Sequence, residues 1–328
     1  MVRVGRVGDI VMITAAIKAA IKLFEHAEIH LLTGTDGKRV IRGFDPRLSE
    51  VIIYNRASLL SFLKRKRIAK QIKEAGYSDI FCFETNPSYL KLFKGSGAIV
   101  HQMKDYRIEN NYAQQCLQMV TEAAGKENFN EWIYLPVTED GEQEARTIFS
   151  KQGITDDDFI VGLHPSFSGL RKLSFRSQTA RHQRGWPREC FAKLAVLIHE
   201  YAQTNNQKVK IAIDLLAEEG ELGLDIVEKS GDVIQLFTPK LNFERYKGTL
   251  KRYNLLVTPN TGPLHICAAV GTPVIGLFAG LKPENSGAYV DPARFTAVCA
   301  EQTEHPELGL AAITPEMVFE ACKPYLSN

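Results

Sequence analysis

The stretch from Leu255 to Pro273, LLVTPNTGPLHICAAVGTP, holds the residues best suited to a charged ligand. It reads as a strand, a tight turn, a short helix and a stop. Pro263 suits the first helical position, where its missing N–H costs nothing. Gly271 and Pro273 suit a helix end. Gly262 has no side chain, so a ligand can approach the backbone. The N–H groups of Thr261, Gly262, Leu264 and His265 are expected to face one point at the positive end of that helix. Such a turn suits a phosphate or pyrophosphate. The competing reading is an ordinary connection between helix and strand.

Three further groups could do chemistry. Gly5-Arg6-Val7-Gly8-Asp9 opens the first helix, where a carboxylate is favoured by roughly 0.3–1 kcal/mol. Asp9 is therefore either a helix cap or a general base. The segment is not G-x-G-x-x-G, so the usual dinucleotide fingerprint is absent. His164-Pro165-Ser166 leads into a loop of about twenty residues, a length that is usually functional or disordered. Its cations, Arg171, Lys172, Arg176, Arg181 and Arg184, either hold a phosphate or acidic substrate or form a solvated insertion. Trp186, before the helix-starting Pro187, argues for one anchored end. The acidic run from Asp214 to Glu221 follows a strand, so it either accepts ribose hydroxyls or supplies helix N-terminal charge. No metal site is expected, and His265 reads as part of the anion turn.

The elements that position these residues alternate between strand and helix. Strands are expected at 2–4, 28–32, 51–54, 79–83 and 98–100, with helices at 9–24, about 59–75 and 110–124. After a polar stretch over 139–158, which carries one helical pattern, a second series begins. It has strands at 159–164, 209–214, 233–237, 255–259 and 274–278. Helices follow Pro187 and lie near 218–229, 243–252 and 315–326. Such a βα series predicts parallel sheets. The expected fold is α/β, with two doubly wound Rossmann-like domains, 1–150 and 151–328, facing across a cleft. Ligands in such sheets bind at the carboxyl ends of the strands. The last helix is a candidate to cross back to the first domain.

Composition fits this plan. A chain of 328 residues exceeds one typical core. The net charge of +2 speaks against a nucleic-acid partner. Lys64-Arg65-Lys66-Arg67, beside Leu59, Leu60, Phe62 and Leu63, either docks on an anionic membrane surface or forms a solvated helix face. The six cysteines are scattered with no C-x-x-C pair, which predicts buried reduced thiols in a cytoplasmic protein. No signal peptide and no bilayer-spanning run is visible. The chain opens directly on Met-Val-Arg-Val, so its first strand looks short, through a misassigned start or a trimmed strand.

Together these pieces resemble glycosyltransferase family 9, the ADP-heptose:lipopolysaccharide heptosyltransferases. The matches are Gly8-Asp9 with Thr14, His164-Pro165 leading to Arg184-Gly185-Trp186-Pro187, Thr261-Gly262-Pro263-Leu264-His265 through Ala268-Ala269 to Gly271-Thr272-Pro273, and Ser286-Gly287 before Tyr289. The resemblance implies a GT-B fold and inverting, metal-independent transfer without a cofactor. It implies an ADP-heptose donor as substrate, and a lipid-linked saccharide acceptor at the cytoplasmic face of the inner membrane. It makes Asp9 the base, Arg184 the phosphate partner and 261–265 the pyrophosphate cradle. Glu218 or Glu219 would face the nucleoside, with His164 and Asn260 near nucleoside or sugar. The chain departs from the family at Ala15, usually proline, at Arg184, typically lysine, and at Asn260, commonly aspartate. These departures keep open a GT-B enzyme with another nucleotide-sugar donor, a 2-epimerase of similar architecture, and a non-catalytic sugar-nucleotide-binding protein.

Overall fold

The computed structural model describes residues 1–54, 61–105, 110–167 and 183–327, and the chain forms two compact units, Met1–Leu135 and Pro136–Asn328. In the first unit the strands are β1 (Val2–Arg3), β2 (His30–Thr33), β3 (Glu50–Ile53), β4 (Asp79–Cys82) and β5 (Ile99–Gln102). They form a parallel sheet in the order β3-β2-β1-β4-β5. Val2, Leu32, Ile52, Ile80 and Cys82 pack against Ile68, Ile72, Leu92 and Phe93. Helices Thr14–Leu23 and Tyr112–Ala123 pack against each other. Ala15, Ala16 and Ala19 are fully buried there, their small side chains admitting a close approach.

The single helix expected over 9–24 is two, Val7–Met12 and Thr14–Leu23, joined at Ile13. The Thr14 hydroxyl donates to the Val11 carbonyl at 2.6 Å and accepts the Tyr134 N–H at 3.0 Å. A threonine that bonds back to the preceding turn competes with the helix ladder. This competition accounts for the break at Ile13 with alanine, not proline, at position 15.

The second unit carries β6 (Phe159–Leu163), β7 (Val209–Asp214), β8 (Ile234–Phe237), β9 (Leu255–Pro259), β10 (Val274–Phe278) and β11 (Phe295–Cys299). All are parallel, in the order β11-β10-β9-β6-β7-β8. The edge strand β11 and the short helices Thr35–Val40 and Leu90–Phe93 were not anticipated from sequence.

Two expectations change here. The boundary falls at 135/136 rather than 150/151. Helix Glu139–Lys151 packs on helix Phe243–Arg252 through two glycines. A Cβ on Gly141 would lie 2.5 Å from the Glu244 carbonyl oxygen, and one on Gly248 2.2 Å from the Gly141 carbonyl oxygen. Buried Lys247 adds hydrogen bonds to the Pro136 carbonyl at 2.6 Å and to Glu244 at 2.9 Å. The polar composition of 139–158 resembled a linker, but these glycines make it one side of a close helix pair. The last helix, Pro315–Leu326, packs within the second unit rather than crossing back. Val318, Cys322 and Leu326 recur every fourth residue and join the core of Phe191, Leu194 and Ile198.

Candidate functional site

Strand order decides where a ligand fits. In each sheet two neighbouring strands send their following connections to opposite sides, and a crevice opens beyond their carboxyl ends. That point lies between β1 and β4 in the first unit, and between β6 and β9 in the second.

In the first unit this point holds Asp9, on the turn after β1, and Glu84, two residues after β4. Asp9 is in the first turn of helix Val7–Met12, where its Oδ2 accepts the Arg6 N–H at 2.8 Å. Gly5 is required by this close fit, since a Cβ there would stand 2.5 Å from both Cβ and Oδ2 of Asp9. Asp9 Oδ1 accepts from Arg3 at 2.8 Å, and the Asp9 side chain remains 40% exposed. The carboxylate is thus both a helix cap and open to solvent. Arg3 and Glu84 escaped the sequence reading.

In the second unit, β6 runs into His164, Pro165 and Ser166, and β9 into Asn260 and Thr261. The His164 N–H donates to the Val257 carbonyl at 3.0 Å, extending the ladder between these strands. Burial pushes the His164 imidazole down to about 4, against a hydrogen bond with the Ser166 backbone. His164 is therefore neutral at pH 7 and supplies hydrogen bonding without charge. Buried Ser166 donates to the Glu219 carboxylate. Half-buried Glu219 therefore reaches the loop after β6, whereas Glu218 points to solvent. Asn260 is 7% exposed, and its Nδ2 donates to Ser286 Oγ at 2.9 Å. Ser286 in turn donates to the Lys282 carbonyl at 3.2 Å. The Ser-Gly pair has a steric reason as well: a Cβ on Gly287 would meet the Pro283 carbonyl oxygen at 2.4 Å.

The turn expected to cradle phosphate is a helix start, with Thr261 preceding helix Gly262–Ala269 and Pro263 in its first turn. Thr261, Gly262 and Pro263 are half-exposed, while Leu264 and His265 are buried. The Leu264 N–H donates to the Thr261 carbonyl at 3.2 Å, so it is spent within the turn. Leu264 is a packing residue beneath the turn. A Cβ on Gly276 of β10 would lie 2.7 Å from its Cδ1.

Arg184 is half-buried. Its neighbour Gln183 lies against the backbone just beyond β10, for a Cβ on Gly280 would come 2.9 Å from the Gln183 Nε2. Trp186 anchors this end of the insertion as expected. It is 3% exposed, its Nε1 donates to the Ile313 carbonyl at 2.9 Å, and it meets Phe191 edge-on at 4.7 Å. Arg171, Lys172, Arg176 and Arg181 lie outside the described residues, as do Leu59 and Leu60, and so does the side chain of Phe62.

At the end of β7, Asp214 forms a buried ion pair with Arg245. Burial raises its carboxyl to about 6, with Arg245 opposing. All six cysteines are free thiols, five buried and Cys190 half-buried. Burial lifts Cys82, Cys190 and Cys299 to about 11, Cys116 to about 12, and Cys267 and Cys322 further. They are poor nucleophiles and sit in the packing. Helix Ser61–Glu74 buries Ile68 and Ile72, while Lys64, Arg65, Lys66 and Arg67 are exposed and Leu63 is 59% exposed. Among the described residues no helix is long and apolar enough to cross a membrane.

A model of glycosyltransferase family 9 (heptosyltransferase) matches residues 94–314. That span includes the second-unit site and begins beyond Asp9. The lipopolysaccharide core heptosyltransferase OpsX of Haemophilus influenzae is 26% identical over 156 residues, 46% of this chain and 42% of that protein. The matched stretch thus spans less than half of that relative's length. A glycosyltransferase family 9 structure from Veillonella parvula superposes with a TM-score of 0.81 at 18% identity, covering 99% of this chain and 96% of that one. E. coli ADP-heptose LPS heptosyltransferase II gives 0.70 at 14% identity, over 99% and 97% of the two chains. The E. coli heptosyltransferase WaaC with ADP gives 0.69 at 15%, over 99% and 98%. These likenesses identify the two parallel-sheet units as a GT-B fold. With the family model matched over well more than half of its length, the chain belongs to glycosyltransferase family 9, the heptosyltransferases.

Proposed function

We propose that this chain is an inverting glycosyltransferase that moves a heptose from ADP-heptose to a hydroxyl of a lipopolysaccharide inner-core acceptor. The observation that carries the proposal is the carboxylate of Asp9, fixed and solvent-open at the switch point of the first sheet. A sugar hydroxyl is a weak nucleophile, and a positioned carboxylate that takes its proton contributes roughly 10²–10⁴ in rate. The acceptor oxygen bonds to the anomeric carbon as the bond to ADP breaks, and ADP leaves with the electron pair. One displacement inverts the anomeric centre.

The charge gathering on ADP is met by the start of helix Gly262–Ala269 and by Arg184. Thr261 and Gly262 offer the accessible backbone there, and Glu219 is the acceptor for nucleoside hydroxyls. This scheme uses no metal or cofactor, and full activity after dialysis against EDTA is the expected outcome. The acceptor is lipid-linked, and the exposed Lys64–Arg67 cluster supports docking on the cytoplasmic face of the inner membrane, without insertion. No nucleic-acid partner is part of this scheme.

The test is transfer by purified protein. ADP release and mass gain of one heptose on a truncated lipopolysaccharide acceptor are expected, with Asp9→Asn nearly inactive but still binding donor. Turnover near wild type in a folded Asp9→Asn variant would return Asp9 to a helix cap. Asn260 favours one second reading, a different sugar on the same nucleotide, because its amide presents no charge where the family commonly has aspartate. Selective turnover of another ADP-sugar from a panel would establish that reading.

A further inference from the structure

We propose that Arg3 and Glu84 are positioning residues that hold the Asp9 carboxylate in one orientation for proton abstraction. The inference rests on the reading of Asp9 as the base. A carboxylate that is 40% exposed turns freely unless both oxygens are held, and here both are. Oδ2 is fixed by the Arg6 N–H at 2.8 Å and Oδ1 by the Arg3 guanidinium at 2.8 Å. Each oxygen accepts more than one hydrogen bond, so the exposed side keeps a site for the acceptor hydroxyl.

Arg3 is itself fixed from three directions. Its side chain is only 10% exposed. The guanidinium donates to the Phe83 carbonyl at 3.4 Å, pairs with Glu84 Oε1 at 3.6 Å and lies 4.7 Å over the Tyr112 ring. The Tyr112 hydroxyl bonds the same Phe83 carbonyl at 3.0 Å. Glu84, with a side chain 9% exposed, is anchored by the Val4 N–H at 2.7 Å.

Glu84 has a second consequence. A buried cation without a partner is costly. When Asp9 takes a proton its charge is lost, and Arg3 would be left alone if Asp9 were its sole counter-ion. Glu84 stays paired with Arg3 through that step, so the guanidinium keeps a counter-ion while it orients the base. The strand order makes this possible, because β1 and β4 are neighbours across the switch point.

The experiment is a double-mutant cycle with ADP-heptose and a truncated lipopolysaccharide acceptor, folding being checked by urea midpoint. Arg3→Met is expected to lower kcat about 10–100-fold, the scale of a misplaced reacting group, with the donor KM within about twofold. Arg3→Lys recovers part of the loss, and Glu84→Gln lowers kcat less than Arg3→Met. In the Asp9→Asn background Arg3→Met gives no further loss, because it acts through Asp9. A second full loss in that background overturns the inference, as does unchanged kcat in Arg3→Met. Where Arg3→Met does not fold, Arg3→Lys and Glu84→Gln carry the same cycle. A readout independent of turnover is the Asp9 carboxylate in crystal structures of the variants: its plane is held in wild type and turned about χ2 in the Arg3 and Glu84 variants. A carboxylate plane unchanged in those variants overturns the inference even if no donor is turned over. Normal turnover in Asp9→Asn instead removes the base reading, a separate failure.

Discussion

Replacement of His164 by asparagine should abolish one part of the acid sensitivity of this fold. The imidazole moves from an ordinary 6.5 to about 4 on folding, through burial. Between those values the unfolded chain holds a proton that the folded chain refuses. Stability from this group is therefore complete above about pH 6.5 and is lost as the pH falls toward 4. At about pH 5 the unfolded imidazole is nearly all protonated and the folded one is about one-tenth protonated. The linkage relation then gives a loss of ~2 kcal/mol relative to pH 7.5. Urea unfolding of wild type and His164→Asn at the two pH values measures it. The wild-type advantage should shrink by that amount on acidification. Asp214, raised by burial to about 6, contributes the opposite slope, its stability being lost as the pH rises through about 6. It does so in both proteins and drops out of the difference. An advantage constant to within about 0.5 kcal/mol would refute the downward shift of the imidazole.

Arg184→Ala should weaken ADP binding by calorimetry more than Arg184→Lys, since lysine keeps the charge but not the planar fork; equal affinity in all three proteins would make this segment a solvated insertion. A Lys64/Arg65/Lys66/Arg67→Ser variant should lose flotation on anionic vesicles at low salt, at roughly 1 kcal/mol per cation, and added salt should release the wild type; equally poor flotation of both would leave the cluster a solvated face. Gly248→Ala should lower the urea midpoint, because its Cβ would stand 2.2 Å from a backbone oxygen. Overpacking costs about 1–3 kcal/mol, against a helix-propensity gain of up to about 1. A raised midpoint would show that the two helices separate freely.

Much of this plan was legible in the chain because local patterns decide it. The alternation of apolar runs with 3.6-period segments fixed the parallel sheets, and Pro263 and Gly271 marked their helix within a residue or two. What was not legible was set by distance in space. Arg3 and Glu84 meet only because β1 lies beside β4, and no spacing in the sequence states that order. Glu218 and Glu219 look alike until the chain turns one toward Ser166. The donors of the turn expected to cradle phosphate were overcounted for another reason. They were counted along the sequence, whereas the first helical turn consumes the Leu264 N–H itself. The boundary was misplaced because a charged surface on helix Glu139–Lys151 concealed its glycine contact with another helix.

The two sheets share one winding: β3-β2-β1-β4-β5 repeats as β8-β7-β6-β9-β10, with β11 added at the edge. Each half closes its own core, as the separate hydrophobic clusters show. A chain assembled this way can evolve by parts. On the proposed function, substitutions near Asn260 and Ser286 would retune the sugar handed over without touching Arg3, Asp9 and Glu84. On the proposed docking, changes on helix Ser61–Glu74 would alter membrane attachment without touching either. Of the three departures from the family pattern, Ala15 lies in the first unit, whereas Arg184 and Asn260 share the second.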